Sequence, residues 1–166
     1  MSFFYKDNTL ILGLVCAFAV IILDQFSKYA VLNWWLGENV GIRICDVFNI
    51  VRAWNTGVSF SMFNNYGHAG AYILSAAAIA IVIMLFYWLK SEKNNLSQIA
   101  LGLIMGGALG NVIDRLRFGA VFDFLDFHLG DSHWPAFNVA DSCICIGAAI
   151  IIAQAFIIQL KNKKEK

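Results

Sequence analysis

The chain has 166 residues, of which 60% are hydrophobic and only 14% are charged. Because soluble domains usually carry about 25% charged residues, this composition indicates a membrane protein, predicted to form a single domain over residues 1–166. The formal net charge of +1 excludes the basic surface on which nucleic-acid binding depends.

Four apolar segments are each long enough to cross a bilayer, which takes ~20 helical residues. They cover about residues 10–32, 69–89, 96–113 and 135–160. Each is predicted to be helical, because lipid offers no hydrogen-bond partner to open backbone groups. The first segment also resembles a signal peptide, with Ala17-Phe18-Ala19 as a mimic of a cleavage site. Its apolar run continues past that point, which favours an uncleaved span.

The distribution of Lys and Arg predicts the direction of insertion. With the N-terminus inside, the inner segments hold seven of them: Lys6, Lys90, Lys93, Lys161, Lys163, Lys164 and Lys166. The outer loops hold four: Arg43, Arg52, Arg115 and Arg117. This inner excess predicts that both termini are cytoplasmic.

The loop over residues 33–68 is long and has its own pattern. Apolar residues alternate at Val40, Ile42 and Ile44 and recur from Val47 to Val51, which predicts short strands. Asn55-Thr56-Gly57 is a turn signal, and Val58 to Phe63 has the pattern of a short helix lying on the membrane. The predicted fold class is an all-α membrane protein with four transmembrane helices and a small extracytoplasmic β-cradle.

Polar side chains gather near the outer ends of spans one and three. Asp24 and Lys28 are four residues apart with the acid first, the favourable order for a helical ion pair, and structure is favoured over catalysis for both. Asn111, Asp114 and Arg115 share one helix face, where Asp114 could fix Arg115. The Arg115 fork could hold a backbone carbonyl or a lipid phosphate, and plain helix termination is the alternative.

The glycines of span three are predicted to permit close packing of neighbouring helices. They are Gly102, Gly106, Gly107 and Gly110.

Asp123 and Asp141 lie on separate segments. Asp123 is predicted in the outer loop after span three, and Asn138 and Asp141 in the opening turns of span four, just after Pro135. Two such acids, each near an Asn, suggest a pair that shares a proton and activates water. A first-turn acid that complements the helix dipole is the alternative for Asp141, and it leaves Asn138 and Asp123 unexplained.

Other chemistries find no support in the sequence. Asp126 and His128 are predicted to be exposed loop residues. The three His and four Cys residues show no zinc-ligand spacing, and Ser59 and Ser61 have no nearby base. We therefore predict no metal and no cofactor.

Five motifs in order carry a resemblance to a known family. They are Asp24-Gln25 with Lys28, NTGVSFS from Asn55, GGALGNVIDR from Gly106, VFDF from Val121 and FNVAD from Phe137. Together they resemble the lipoprotein signal peptidases, the bacterial signal peptidase II family of intramembrane aspartic proteases. Val58 and Ser59 stand where small alanines are common in that family, which loosens one motif only.

The resemblance implies a role for each matching residue. The catalytic dyad falls on Asp123 and Asp141. The residues that surround the dyad and bind substrate are Asn55, Asn111, Arg115 and Asn138. Supporting positions fall on Asp24, Lys28 and Asp114.

The resemblance also implies a substrate and a location. The substrates are prolipoproteins carrying a diacylglyceryl-Cys, cut just before that Cys at the outer face of the bacterial cytoplasmic (inner) membrane. Membrane lipids and globomycin-type inhibitors are the further partners it implies. Phe118, Phe122, Phe124 and Phe137 could line a lipid groove or simply pack in a core. From the residues alone, a four-span transporter and a non-catalytic lipid-binding subunit remain the alternatives.

Overall fold

The computed structural model describes residues 9–57 and 67–164. The helices are α1 (Thr9–Ala30), α2 (Gly67–Ser91), α3 (Asn95–Phe118) and α4 (Val139–Lys164). The strands are β1 (Gly41–Cys45), β2 (Phe48–Asn55), β3 (Val121–Leu129) and β4 (Ser132–His133). Over these residues, the structure confirms the prediction of four helices that are long and apolar enough to cross a membrane. The helix predicted from Val58 to Phe63 falls outside them.

The ends of the spans differ from the prediction. A π-helical segment, Val31–Leu36, extends α1, and α3 runs five residues beyond the predicted end at residue 113. Helix α4 begins at Val139, so Pro135 precedes the helix and does not open its first turn. The reason is that the Phe137 carbonyl accepts the N–H groups of Phe124 and Leu125 in β3, which holds the chain extended up to that residue.

Helix α3 packs against the other three helices, and its glycines bring α1 and α4 close. A Cβ built on Gly106 would lie 2.5 Å from the Ala17 carbonyl oxygen of α1, and one on Gly107 would clash with the Ala140 carbonyl oxygen of α4. A Cβ on Gly102 would meet the Gly13 carbonyl oxygen of α1, and one on Gly110 would meet the Asp24 carboxylate. The predicted packing role of these glycines is therefore confirmed.

The four strands form one antiparallel sheet in the order β1-β2-β3-β4. Strands β1 and β2 confirm the strands predicted between the first two spans. Strand β3 was not predicted, and the placement of Asp123 in a loop is wrong. Gly119 has φ 73°, which ends α3 and turns the chain at once into this strand.

The face of the sheet that meets the helices is apolar. Phe122 and Phe124 pack with Ile50, Val31 and Leu36 in a buried core. For Phe122 and Phe124 the structure therefore favours packing over a lipid groove. Phe118 is exposed and Phe137 is half-buried.

Candidate active site

Asp123 and Asp141 are linked by two asparagine side chains. Asn138 Nδ2 donates to Asp123 Oδ1 at 2.7 Å, and Asn111 Nδ2 donates to Asp141 Oδ1 at 2.7 Å. Asn138 Nδ2 also donates to Asn111 Oδ1 at 3.2 Å, which closes the chain between the two carboxyl groups. The structure thus joins a strand, β3, and two helices, α3 and α4, through one amide network.

Asn138 owes its orientation to the start of α4. Its Oδ1 accepts the Asp141 N–H at 2.9 Å, and its own N–H donates to Asp141 Oδ2 at 3.3 Å. This reciprocal pair has the geometry of a capping box, in which each side chain satisfies a free backbone donor. Because Oδ1 is committed to the cap, Nδ2 must point at Asp123.

Asn55 reaches Asp123 from the end of β2. Its Nδ2 donates to Asp123 Oδ2 at 3.1 Å, while its Oδ1 accepts the Gly57 N–H at 3.1 Å. The second bond is an Asx turn, which fixes the amide and confirms the predicted turn signal. The β2–β3 register shifts between Ile50 and Ala53, and such bulges re-aim side chains beside active sites.

The surroundings of Asp123 favour its protonated form. The side chain is buried, with 2% of the residue exposed. Burial, followed by the charge of Asp141, raises the pKa of Asp123 to about 7 against the opposing hydrogen bonds of Asn55 and Asn138 and the charge of Lys28. A carboxyl pair in which one member holds a proton near neutral pH can supply a general base and a general acid together.

Arg115 lies on α3 one turn beyond Asn111. Its guanidinium is half-buried and interacts electrostatically with Asp141, Asp123 and Asp114. Among the hydrogen bonds and ion pairs formed by residues 9–57 and 67–164, none uses this guanidinium. Within those two ranges the five N–H donors of Arg115 are therefore unused.

Asp24, Lys28 and Asp114 form a buried ion cluster behind the asparagines. Lys28 Nζ lies 2.8 Å from Asp24 Oδ2 and 2.7 Å from Asp114 Oδ2, and it donates to Asn111 Oδ1 at 3.3 Å. The predicted Asp24–Lys28 pair is confirmed. The close ion-pair partner of Asp114 among the described residues is Lys28 from α1, and Arg115 interacts with Asp114 only through its charge.

Asp126 is buried in β3, so the prediction of an exposed loop residue is wrong. Its carboxylate accepts hydrogen bonds from Asn49 Nδ2 at 2.9 Å and lies 2.8 Å from His133 Nδ1. His128, also predicted in a loop, is a half-buried strand residue stacked on His133. These hydrogen bonds satisfy the Asp126 carboxylate, which explains why β3 tolerates a second buried acid.

Gln25 was missed as a member of the site. Its Nε2 donates to Asp114 Oδ1 at 2.9 Å and to Asp24 Oδ2 at 3.2 Å. The available signal was its place between Asp24 and Lys28, since Gln25 and Lys28 are three residues apart on one helix.

No three His, Cys, Asp or Glu side chains converge as metal ligands in the part of the chain that the structure describes.

Comparison with known proteins gives a consistent result. The family model described as signal peptidase (SPase) II matches residues 16–157. The lipoprotein signal peptidase of Aeromonas hydrophila subsp. hydrophila is 44% identical over 152 residues, which is 90% of this chain and 89% of that protein. That of Syntrophus aciditrophicus is 39% identical over 161 residues, 95% of this chain and 97% of that protein.

A solved structure also matches over nearly the whole length. It is a bacterial membrane enzyme determined by the in meso method at 2.3 Å resolution, with a TM-score of 0.77 and 32% identity. The match covers 93% of this chain and 92% of that chain.

Proposed function

The chain belongs to the signal peptidase II family, and from that membership we propose that it removes the signal peptide from prolipoproteins as an aspartic endopeptidase within the membrane. We further propose Asp123 and Asp141 as its catalytic dyad. The observation that carries this assignment is the amide chain through Asn138 and Asn111, which ties two carboxyl groups from different elements into one site.

The proposed reaction is addition of water to a peptide carbonyl. The ionised carboxylate takes a proton from water, and the resulting oxygen attacks the carbonyl carbon. The protonated carboxyl donates a hydrogen bond to the carbonyl oxygen, which gains negative charge as the tetrahedral intermediate forms. The C–N bond then breaks, and the leaving nitrogen takes the proton first removed from water. The hydroxyl group of the water becomes part of the new carboxyl end, and its other hydrogen is on the new amine.

The proposed substrate groups follow from the residues around the dyad. Asn55, Asn111, Asn138 and Arg115 are proposed to hold the substrate backbone, Arg115 because its guanidinium is half-buried beside both acids. The substrate is proposed to carry a diacylglyceryl-Cys and to be cut just before it, the acyl chains staying in lipid. Globomycin-type inhibitors are proposed to compete at the same site.

The active site is proposed to lie near the extracytoplasmic face of the bacterial cytoplasmic membrane, with both termini in the cytoplasm. The excess of seven Lys residues in the inner segments over four Arg residues in the outer loops supports this direction. In the described parts of the spans, the buried Asp and Lys residues all lie at the same end as the dyad: Asp24, Lys28 and Asp114. A transport path would need polar groups near the midplane as well.

A cleavage assay on matched precursors tests the proposed function. Purified enzyme in detergent micelles is given a prolipoprotein peptide with a diacylglyceryl-Cys, and the same peptide with an unmodified Cys. We expect one cut, just before the lipidated Cys, identified by mass spectrometry, and no cut in the unmodified peptide. An intact lipidated peptide, or equal cleavage of both, would overturn the proposal.

The pH dependence of cleavage depends on which acid holds the proton. With Asp123 as the protonated member, activity should fall as pH rises through about 7. The hydrogen bond from Asn55 lowers the pKa of Asp123. Asn55→Ala should therefore raise that pKa and move the alkaline limb of the kcat profile to higher pH. A shift of about one pH unit is expected, because a hydrogen bond to a charged group contributes roughly 1.5–3 kcal/mol.

Asn49→Ala is the matched control for this shift. Asn49 is also a β2 residue that donates to a buried β3 carboxylate, but its acceptor is Asp126. We expect both limbs of the profile to stay in place in this variant. If Asn55→Ala moves the acidic limb and leaves the alkaline one, Asp123 is the base and the assignment is reversed.

A further inference from the structure

Gln25 connects the two carboxylates of the buried ion cluster. Its Nε2 lies within hydrogen-bond distance of Asp24 Oδ2 (3.2 Å), Asp114 Oδ1 (2.9 Å) and the Gly110 carbonyl (3.3 Å). Its Oε1 faces Arg117 Nη1 at 3.5 Å. One neutral amide thus bridges α1 and α3 at the level of the cluster.

The cluster depends on the Gln25 amide because the Lys28 ammonium has no proton left for another acceptor. Lys28 Nζ has three protons, and they meet Asp24 Oδ2, Asp114 Oδ2 and Asn111 Oδ1. Among the described residues, Gln25 is the only donor to Asp114 Oδ1. Removal of the amide would leave a buried carboxylate oxygen without a partner, which costs free energy and lets the carboxylate turn.

The same two carboxylates hold the backbone that carries the dyad. Asp24 Oδ1 accepts the N–H of Ala140, the residue before Asp141, at 3.0 Å. Asp114 Oδ2 accepts the N–H of Phe122, the residue before Asp123, at 3.1 Å. Each catalytic aspartate therefore follows a backbone amide that one carboxylate of the cluster fixes.

We propose that Gln25 is a positioning residue for peptide cleavage. Its amide holds Asp24 and Asp114 side by side, and these carboxylates hold the start of α4 and the start of β3 at the separation that the dyad needs. This inference rests on the proposed function. A displacement of about 1 Å at a catalytic group can cost on the order of 10²-fold in rate, so the effect should appear in kcat.

Two substitutions separate positioning from simple stabilisation. Gln25→Leu removes the donor at every pH, and we expect kcat to fall by on the order of 10²-fold with KM unchanged.

In Gln25→Glu, a protonated carboxyl can still donate, whereas an ionised one places a third negative charge beside Asp24 and Asp114. The nearby cations are Arg117 on α3, which reaches the Gln25 amide oxygen, and Lys28, which pairs with the two carboxylates that Gln25 contacts. The ratio of Gln25→Glu kcat to wild-type kcat should therefore fall as pH rises, while the ratio for Gln25→Leu stays constant.

Gln154→Glu is the matched control, since Gln154 is a partly buried Gln on α4 whose partners are Ser97 and Asn94 at the opposite end of the bundle. We expect it to change thermal stability without changing kcat or the pH profile. The proposal is overturned if Gln25→Leu keeps wild-type kcat, or if the Gln25→Glu ratio is the same at every pH. If Gln25→Leu does not fold, the pH series of Gln25→Glu decides alone. Wild-type enzyme that leaves the lipidated precursor intact would instead contradict the proposed function.

Discussion

Asp123→Asn is expected to lose most cleavage of the lipidated precursor in a protein that still folds. Asn cannot hold or release the proton that the reaction transfers, and loss of a general acid or base costs on the order of 10²–10⁴-fold in kcat. The variant keeps the size and shape of the side chain. Its oxygen can still accept one amide hydrogen bond from Asn138 or Asn55. Asp141→Asn should lose activity for the same reason.

The stability of Asp123→Asn relative to the wild type should rise with pH. Burial and Asp141 raise the pKa of Asp123 to about 7, above its value in an unfolded chain. The folded protein therefore binds that proton more tightly, and the stability this contributes is present at low pH and lost as pH rises through about 7. Because Asn carries no charge, the variant avoids this loss, and denaturant titration in micelles at pH 6 and pH 8.5 measures the difference.

Asp126→Asn is the control, because the pKa shift of Asp126 and the expected change in stability are opposite to those at Asp123. Asp126 is a second buried acid on β3, three residues further along. Burial acts to raise its pKa, but the hydrogen bonds of Asn49 and His133 and the nearby histidines prevail and lower the pKa of Asp126. Its charge therefore stabilises the fold above that pKa, so Asp126→Asn should lose stability and keep kcat. Equal losses of kcat in Asp123→Asn and Asp126→Asn would remove Asp123 from the dyad.

The four spans were predictable because apolar length is a local property of the sequence. The same is true of the capping relation between Asn138 and Asp141, which are three residues apart and share a helix start. The span ends were less predictable. The start of α4 is set by Phe137, which pairs with β3, a contact between distant parts of the chain. Local pattern alone placed that start at residue 135.

The errors at Asp123 and Asp126 have one cause. The run VFDFLDFHL contains two acids and a His, and surface bias alone assigns such residues to a loop. Phe122 and Phe124 alternate with Asp123, a pattern that indicates a strand. The surface bias of the polar residues outweighed this pattern in the prediction. Burial of both acids depends on donors from β2, α4 and β4, which no local pattern contains.

The partner of Asp114 shows a related limit. Asp114 and Arg115 are neighbours in sequence on one helix, so local spacing suggested that they could pair. The structure instead brings Lys28 from α1, because the close α1–α3 packing at Gly106 and Gly110 places the two helix ends together. Gln25 was missed for the same reason, since three of its four partners lie on α3.

Lys28→Met is expected to cause the largest loss of stability of any single change in the site. Asp24 and Asp114 are almost fully buried, with 0% and 1% exposed, and Lys28 is the cation within 4 Å of both. Removing one partner of a buried ion pair typically costs 3–5 kcal/mol, because the remaining charge is left uncompensated. Here two carboxylates lose the same cation. Denaturant titration in micelles gives the free energy of unfolding for the variant and the wild type.

Arg43→Met is the matched control for Lys28→Met. The Arg43–Asp46 pair has a similar separation, but its side chains are 69% and 92% exposed. Exposed pairs contribute about 0–1 kcal/mol, so this variant should unfold at nearly the wild-type denaturant concentration. If Lys28→Met loses no more stability than Arg43→Met, the cluster is not the buried electrostatic unit described above.

Removing all three charges distinguishes stability from geometry in the cluster. Replacing a whole buried ion network with neutral groups is often neutral or stabilising, so Asp24→Asn combined with Lys28→Met and Asp114→Asn should recover stability relative to Lys28→Met. Activity should not recover with it, because Asn111 Oδ1 still lacks its lysine donor and the acceptors of the Ala140 and Phe122 amides have lost their charge. Recovery of both properties together would mean that the cluster only stabilises the fold. Recovery of stability alone would mean that its charges serve the geometry of the dyad.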